Sequence, residues 1–155
     1  MPLLKLLLVL FVCAAGPAGA GPLEGGLVAH DKGDYSTALR LLRPLADHGY
    51  AFAQNNLGVI YYNGWGVPQD YAAAVAWYRK AADQDDPDGQ HNLGIMYANG
   101  QGVTQDYAAA MSWYLKAAEQ GYALAQLNLG LMYYNGWGVP QSHVLAHMWF
   151  NLAAA

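Results

Sequence analysis

Asn63-Gly64-Trp65-Gly66-Val67 recurs as Asn99-Gly100-Gln101-Gly102-Val103 and again as Asn135-Gly136-Trp137-Gly138-Val139. Gly64, Gly100 and Gly136 stand 36 residues apart, with no insertion between them. The flanks keep step. Asn56-Leu57-Gly58 matches Asn92-Leu93-Gly94 and Asn128-Leu129-Gly130, while Trp77-Tyr78 matches Trp113-Tyr114 and Trp149-Phe150. A fixed period of this length is the signature of an array of supersecondary units rather than of one irregular fold.

Each unit reads as two helices. Ala53, Leu57, Ile60 and Tyr61 fall at i, i+4, i+7 and i+8, one face of a helix. Asn63-Gly64 ends it, because glycine accepts the left-handed conformation that closes a helix C-terminus. Asp70, repeated as Asp106 and replaced by Ser142, is placed to cap a second helix, in which Ala74, Trp77, Tyr78 and Ala81 share a face. Gly58, Gly94 and Gly130 predict close helix approach, a small residue opposite a large aromatic one. Trp113, with Ala110 and Ala117 around it, is expected deep in the central hairpin.

Upstream, Gly33-Asp34-Tyr35 aligns with the start of the second helix, and Leu23 to His30 is expected to form a shorter partner helix. The predicted architecture is all-α: a solenoid of four antiparallel hairpins. Its parts are a degenerate capping unit at 21–49 and repeats at 50–85, 86–121 and 122–155. A terminal repeat must offer solvent a polar side, and the final helix, ending in Leu-Ala-Ala-Ala, supplies none. That open end is expected either to mark a truncated family member or to pair with another molecule, a second copy included.

The N-terminus reads as an export signal: Lys5, an apolar run from Leu6 to Ala15, then Ala18-Gly19-Ala20 as a small-x-small cleavage site. Residues 1–20 would be removed and the product delivered to the periplasm or the exterior. An uncleaved anchor is the alternative, but Gly16, Pro17 and Gly19 interrupt the run before the roughly 20 apolar residues a span needs. Cleavage also removes Cys13, the single cysteine, leaving no disulfide and no thiol nucleophile.

Only 12% of residues are charged and the net charge is −4. With cations scattered singly or in pairs, nucleic acid is an unsuitable partner, since phosphate binding needs clustered Lys and Arg. His143 and His147 lie at i, i+4, but without the glutamate between them or the third ligand that a zinc site requires. Asp85, Asp86 and Asp88 lack the spacing, central glycine and terminal glutamate of a calcium loop, and read as a capping turn. No cofactor, metal or catalytic residue is expected.

The surface is the remaining place for function. Asn55, Val59 and Tyr62 lie opposite Leu57, and their equivalents are His91, Ile95 and Ala98, then Leu127, Leu131 and Tyr134. Stacking would join them into a strip, in part covered by neighbouring first helices and in part a groove for a peptide or helix. Trp65 and Trp137 are a second candidate, since tryptophan often anchors interfaces, with packing against the adjacent loop as the plainer reading.

This pattern resembles the Sel-1-like repeat family. The resemblance is carried by Ala53, Gln54, Leu57, Gly58, Tyr61, Gly64, Gly66, Val67, Asp70, Ala74, Trp77, Tyr78, Lys80, Ala81 and Ala82, and covers residues 50–155. The N-terminal unit is similar, more loosely, to tetratricopeptide repeats. The resemblance implies an α-solenoid with a concave surface that serves as an adaptor for another protein, in a chain of exported bacterial type. His143, where Tyr35, Tyr71 and Tyr107 stand in the other units, departs from the pattern. Cysteine-rich exported relatives are associated with penicillin binding and β-lactamase activity, which makes a cell-wall-related hydrolase the alternative. Those relatives carry a disulfide in each repeat that the cleaved chain has no cysteines to form, and no Ser-x-x-Lys motif occurs in the repeats.

Overall fold

The computed structural model describes residues 21–155, and over that span every regular element is a helix. In chain order these are α1 (Pro22–Asp31), α2 (Tyr35–Asp47), α3 (Ala51–Asn63), α4 (Tyr71–Ala82), α5 (Pro87–Asn99), α6 (Tyr107–Glu119), α7 (Ala123–Asn135) and α8 (His143–Ala153). They pair as four hairpins, and each hairpin stacks on the next through α2 on α3, α4 on α5 and α6 on α7. The all-α solenoid read from the period is the fold observed. The export segment lies outside the described residues.

Local chemistry sets the helix ends as expected. The Oδ1 atoms of Asp70 and Asp106 accept from the amides of Ala73 and Ala109 at 2.9 Å, and the Ser142 hydroxyl takes the same role for Leu145 at 3.3 Å. Asp86 caps α5 by accepting from Gly89 at 2.7 Å. Such caps satisfy amides that have no partner inside the helix. Gly64, Gly100 and Gly136 adopt φ of 69°, 64° and 72°, a conformation costly for any side chain with a Cβ. Behind each, Gln69, Gln105 or Gln141 donates its side-chain amide to the carbonyl of Tyr62, Ala98 or Tyr134, always at 2.8 Å.

The core of each hairpin is a glycine against a ring. Gly58 faces Tyr78, Gly94 faces Tyr114 and Gly130 faces Phe150, so closely that a methyl group at any of the three would overlap the aromatic carbons. The first unit repeats the device with an aliphatic side chain, Gly26 against Leu42. Ala53, Leu57, Ile60, Ala74, Tyr78 and Ala81 are buried, as their shared faces predict. Trp77 is buried as well, with Arg43 and Lys80 placed over its ring at 5.2 and 4.0 Å. Trp113 departs from expectation. It is half-buried, covered by Lys116 at 4.2 Å but by no second cation. The position corresponding to Arg43 is Arg79, whose guanidinium turns instead to the Tyr97 ring and hydroxyl.

Candidate protein-binding surface

Asn55, Val59 and Tyr62 lie on the side of α3 that receives the following unit. Asn55 is buried and its Oδ1 accepts from Asn92 Nδ2 of α5 at 2.9 Å. Val59 is covered too, in a cluster with Val75, Leu93 and Met96. One unit on, His91 occupies the place of Asn55, and Asn128 Nδ2 of α7 approaches its Nε2 at 3.0 Å. The imidazole of His91 thus has an amide partner in the seam. Burial pushes its pKa down from 6.5 to about 4. The rings of Tyr122 and Tyr114 flank it at 5.2 and 5.8 Å.

Asn55, Val59 and His91 are therefore seam residues between units and present no free surface to a partner. Ile95, Ala98 and Tyr62 are half-buried, as are Leu127 and Leu131. Tyr134 is 51% exposed. The strip is closed at Asn55, Val59 and His91 and partly open at its other positions.

The loop tryptophans reach back to the preceding unit. Trp65 stacks on Tyr35, centroids 5.0 Å apart and planes 10° apart, with the His30 ring edge-on at 5.0 Å. Gln101, at the corresponding place, accepts from the Tyr62 hydroxyl at 3.5 Å. Trp137 stacks on Tyr107 at 6.1 Å and keeps 43% of its surface exposed. In the last unit the corresponding ring pair is Tyr134 with His143 edge-on at 5.1 Å. Trp65 is thus mainly a clasp between units, whereas Trp137 is both clasp and surface.

A glutamine ladder went unread in the sequence. Gln54, Gln90 and Gln126 donate back to the carbonyls of Ala46, Ala82 and Ala118 at 3.0, 3.5 and 3.2 Å, tying each first helix to the helix before it. Gln84 and Gln120 then donate to the side-chain oxygens of Gln54 and Gln90 at 2.7 and 2.9 Å. The signal was present, since these glutamines recur with the 36-residue period.

The acidic turn is structural. Besides the cap from Asp86, Asp88 accepts from the Tyr122 hydroxyl at 2.5 Å, and Asp85 accepts from Gln90 at 3.3 Å. His143 and His147 are exposed on α8. No group of three metal-ligating side chains occurs among the described residues, and no helix there is long and apolar enough to cross a membrane.

Four consecutive stretches of the chain, residues 23–50, 51–86, 87–122 and 123–155, match the Sel1 repeat. None of the curated proteins matches. Among solved structures, the chain is similar to a protective antigen present in uropathogenic Escherichia coli strains that displays an SLR fold, at 42% identity and a TM-score of 0.80, over 86% of this chain and 29% of that one. It is also similar to a Sel1 repeat protein from Oxalobacter formigenes, at 32% identity and a TM-score of 0.80, over 88% of this chain and 54% of that one. The chain thus spans about half or less of the length of either structure. Nothing in these likenesses speaks for the hydrolase alternative. With four matched units covering most of its length, this chain belongs to the Sel1 repeat family.

Proposed function

We propose that the chain is a non-enzymatic scaffold that binds another protein or peptide on its repeated strip, with the partner lying on Leu127, Leu131 and Tyr134 beside Trp137. The observation that carries this reading is the array of Sel1 repeats itself, four stacked hairpins that carry one recurring surface. Leu127 and Leu131 keep part of their area open along it, and Trp137 adds exposed indole where it stacks back on Tyr107. Aromatic side chains half out of water beside aliphatic ones are the usual composition of a binding hot spot. Tyr62, Ile95 and Ala98 extend the same surface towards the middle of the array.

The apolar run before Ala18-Gly19-Ala20 supports delivery to the cell envelope or beyond, as a chain beginning at Gly21. The uncharged last helix supports self-association as a second use of the same end. The test is capture from an envelope extract on immobilised chain. A specific protein is expected on the parent chain and lost with Leu131→Lys, whose helical circular dichroism should stay unchanged. Equal capture by both would remove the strip from the reading.

A further inference from the structure

The last unit differs from the others in a way its place in the array does not explain. Residues 123–155 contain no Asp, Glu, Lys or Arg. On the side of α8 facing away from α7, Val144, Met148 and Leu152 form a stripe at i, i+4 and i+8, exposed by 80%, 44% and 48%. In α4 the corresponding positions hold Ala72, Ala76 and Lys80, and in α6 they hold Ala108, Ser112 and Lys116, all exposed. Those two helices are each followed by another unit, and their outer positions still face solvent. A further unit stacked on α8 would therefore leave its stripe open in the same way. The stripe is a separate surface from the strip on α7.

We propose that this stripe is the contact between two copies of the chain, α8 packing antiparallel on α8 of the second copy about a two-fold axis at Met148. This deepens the self-association reading and rests on it. A two-fold contact requires a patch that complements itself. Here Met148 meets its own copy and Val144 meets Leu152 of the other chain, so apolar residues face apolar residues throughout. No charged side chain on α8 is opposed by its twin, which removes the repulsion that usually defeats self-pairing, and equally removes any feature that would select a charged foreign partner. A contact of one helix pair is small, so the dimer is a weak one.

The preceding units supply the test. Val144→Ala, Met148→Ser and Leu152→Lys together give α8 the outer face of α6, a face already compatible with folding. The introduced lysine then lies over Trp149 as Lys116 lies over Trp113. Sedimentation of the full chain from about 5 to about 500 µM should show a monomer–dimer equilibrium for the parent. The triple variant should dimerise at least about tenfold more weakly, because three apolar side chains are no longer buried. Any association through residues 1–20 is common to both chains and cancels. In a Cys13→Ser background, Met148→Cys should form a disulfide-linked dimer on mild oxidation, and Ala76→Cys, at the same place on α4, should not. Identical sedimentation of parent and variant, or no cross-link at position 148, would overturn the proposal. So would a parent that stays monomeric yet floats with phosphatidylcholine vesicles, which would assign the stripe to lipid. Loss of partner capture by Leu131→Lys with dimerisation intact would show that the two surfaces act separately.

Discussion

Asn92 donates its side-chain amide to Asn55 across the seam between the second and third units, at 2.9 Å and away from water. The pair is repeated as Asn128 on His91 and then ends at Leu127, which asks for no polar partner. A buried amide left alone costs about 1–3 kcal/mol, whereas replacing both partners by apolar groups is close to neutral. Asn92→Leu should therefore lower stability by that amount in urea titrations. Asn55→Leu added to it should recover much of the loss, a coupling that a double-mutant cycle measures.

Acid should loosen the next seam. His91 in the folded chain has its pKa held at about 4 by burial, against 6.5 when free. Between those values the unfolded chain binds more protons, so stability falls as pH drops from 7 towards 4. The full contribution is about 3 kcal/mol once the pH is below 4. His91→Asn, which copies Asn55, should remove this part of the pH slope. The measurement is the difference in urea midpoint between parent and variant from pH 7 to pH 4, and a constant difference would contradict the burial of a neutral imidazole.

Gly94→Ala should destabilise the middle hairpin, since the added methyl overlaps the Tyr114 ring and forces the helices apart. Overpacking of this kind costs about 1–3 kcal/mol. Tyr114→Leu in the same chain should return part of it, because the first unit already pairs a glycine, Gly26, with Leu42. Thermal unfolding of the parent and the two variants reads the order directly.

Two equivalent tryptophans should behave differently. Trp77→Ala empties a buried site and should cost about 3–5 kcal/mol. Trp113→Ala, at a half-buried site, should cost clearly less. Equal denaturant midpoints for the two variants would contradict the exposure difference between them.

The fold was readable because its determinants are local and periodic. Gly64 closes α3, Asp70 opens α4, and Gly58 admits Tyr78, each within one unit, and each repeats at the same spacing. The surface was less readable because coverage depends on the neighbouring unit. Asn55 and Tyr62 occupy the same strip, yet one is sealed by α5 and the other is half-buried. Ile95 is half-buried for the same reason and packs against the third core cluster, so a lysine there would disturb folding, and Leu131 is the better probe of binding. The Trp113 environment turned on Arg79, whose choice of Tyr97 over the indole no periodicity encodes.

Every seam joins only adjacent units. The farthest-reaching side-chain hydrogen bond among the described residues, Tyr62 to Gln101, spans 39 positions. Local contacts of this sort favour rapid assembly, since little chain must be closed before contacts form. They also make the array a spring. Among the described residues the main helix contacts run only between neighbouring units, so a pull or a docking partner strains the seams one after another, and a small rotation at each accumulates along the strip.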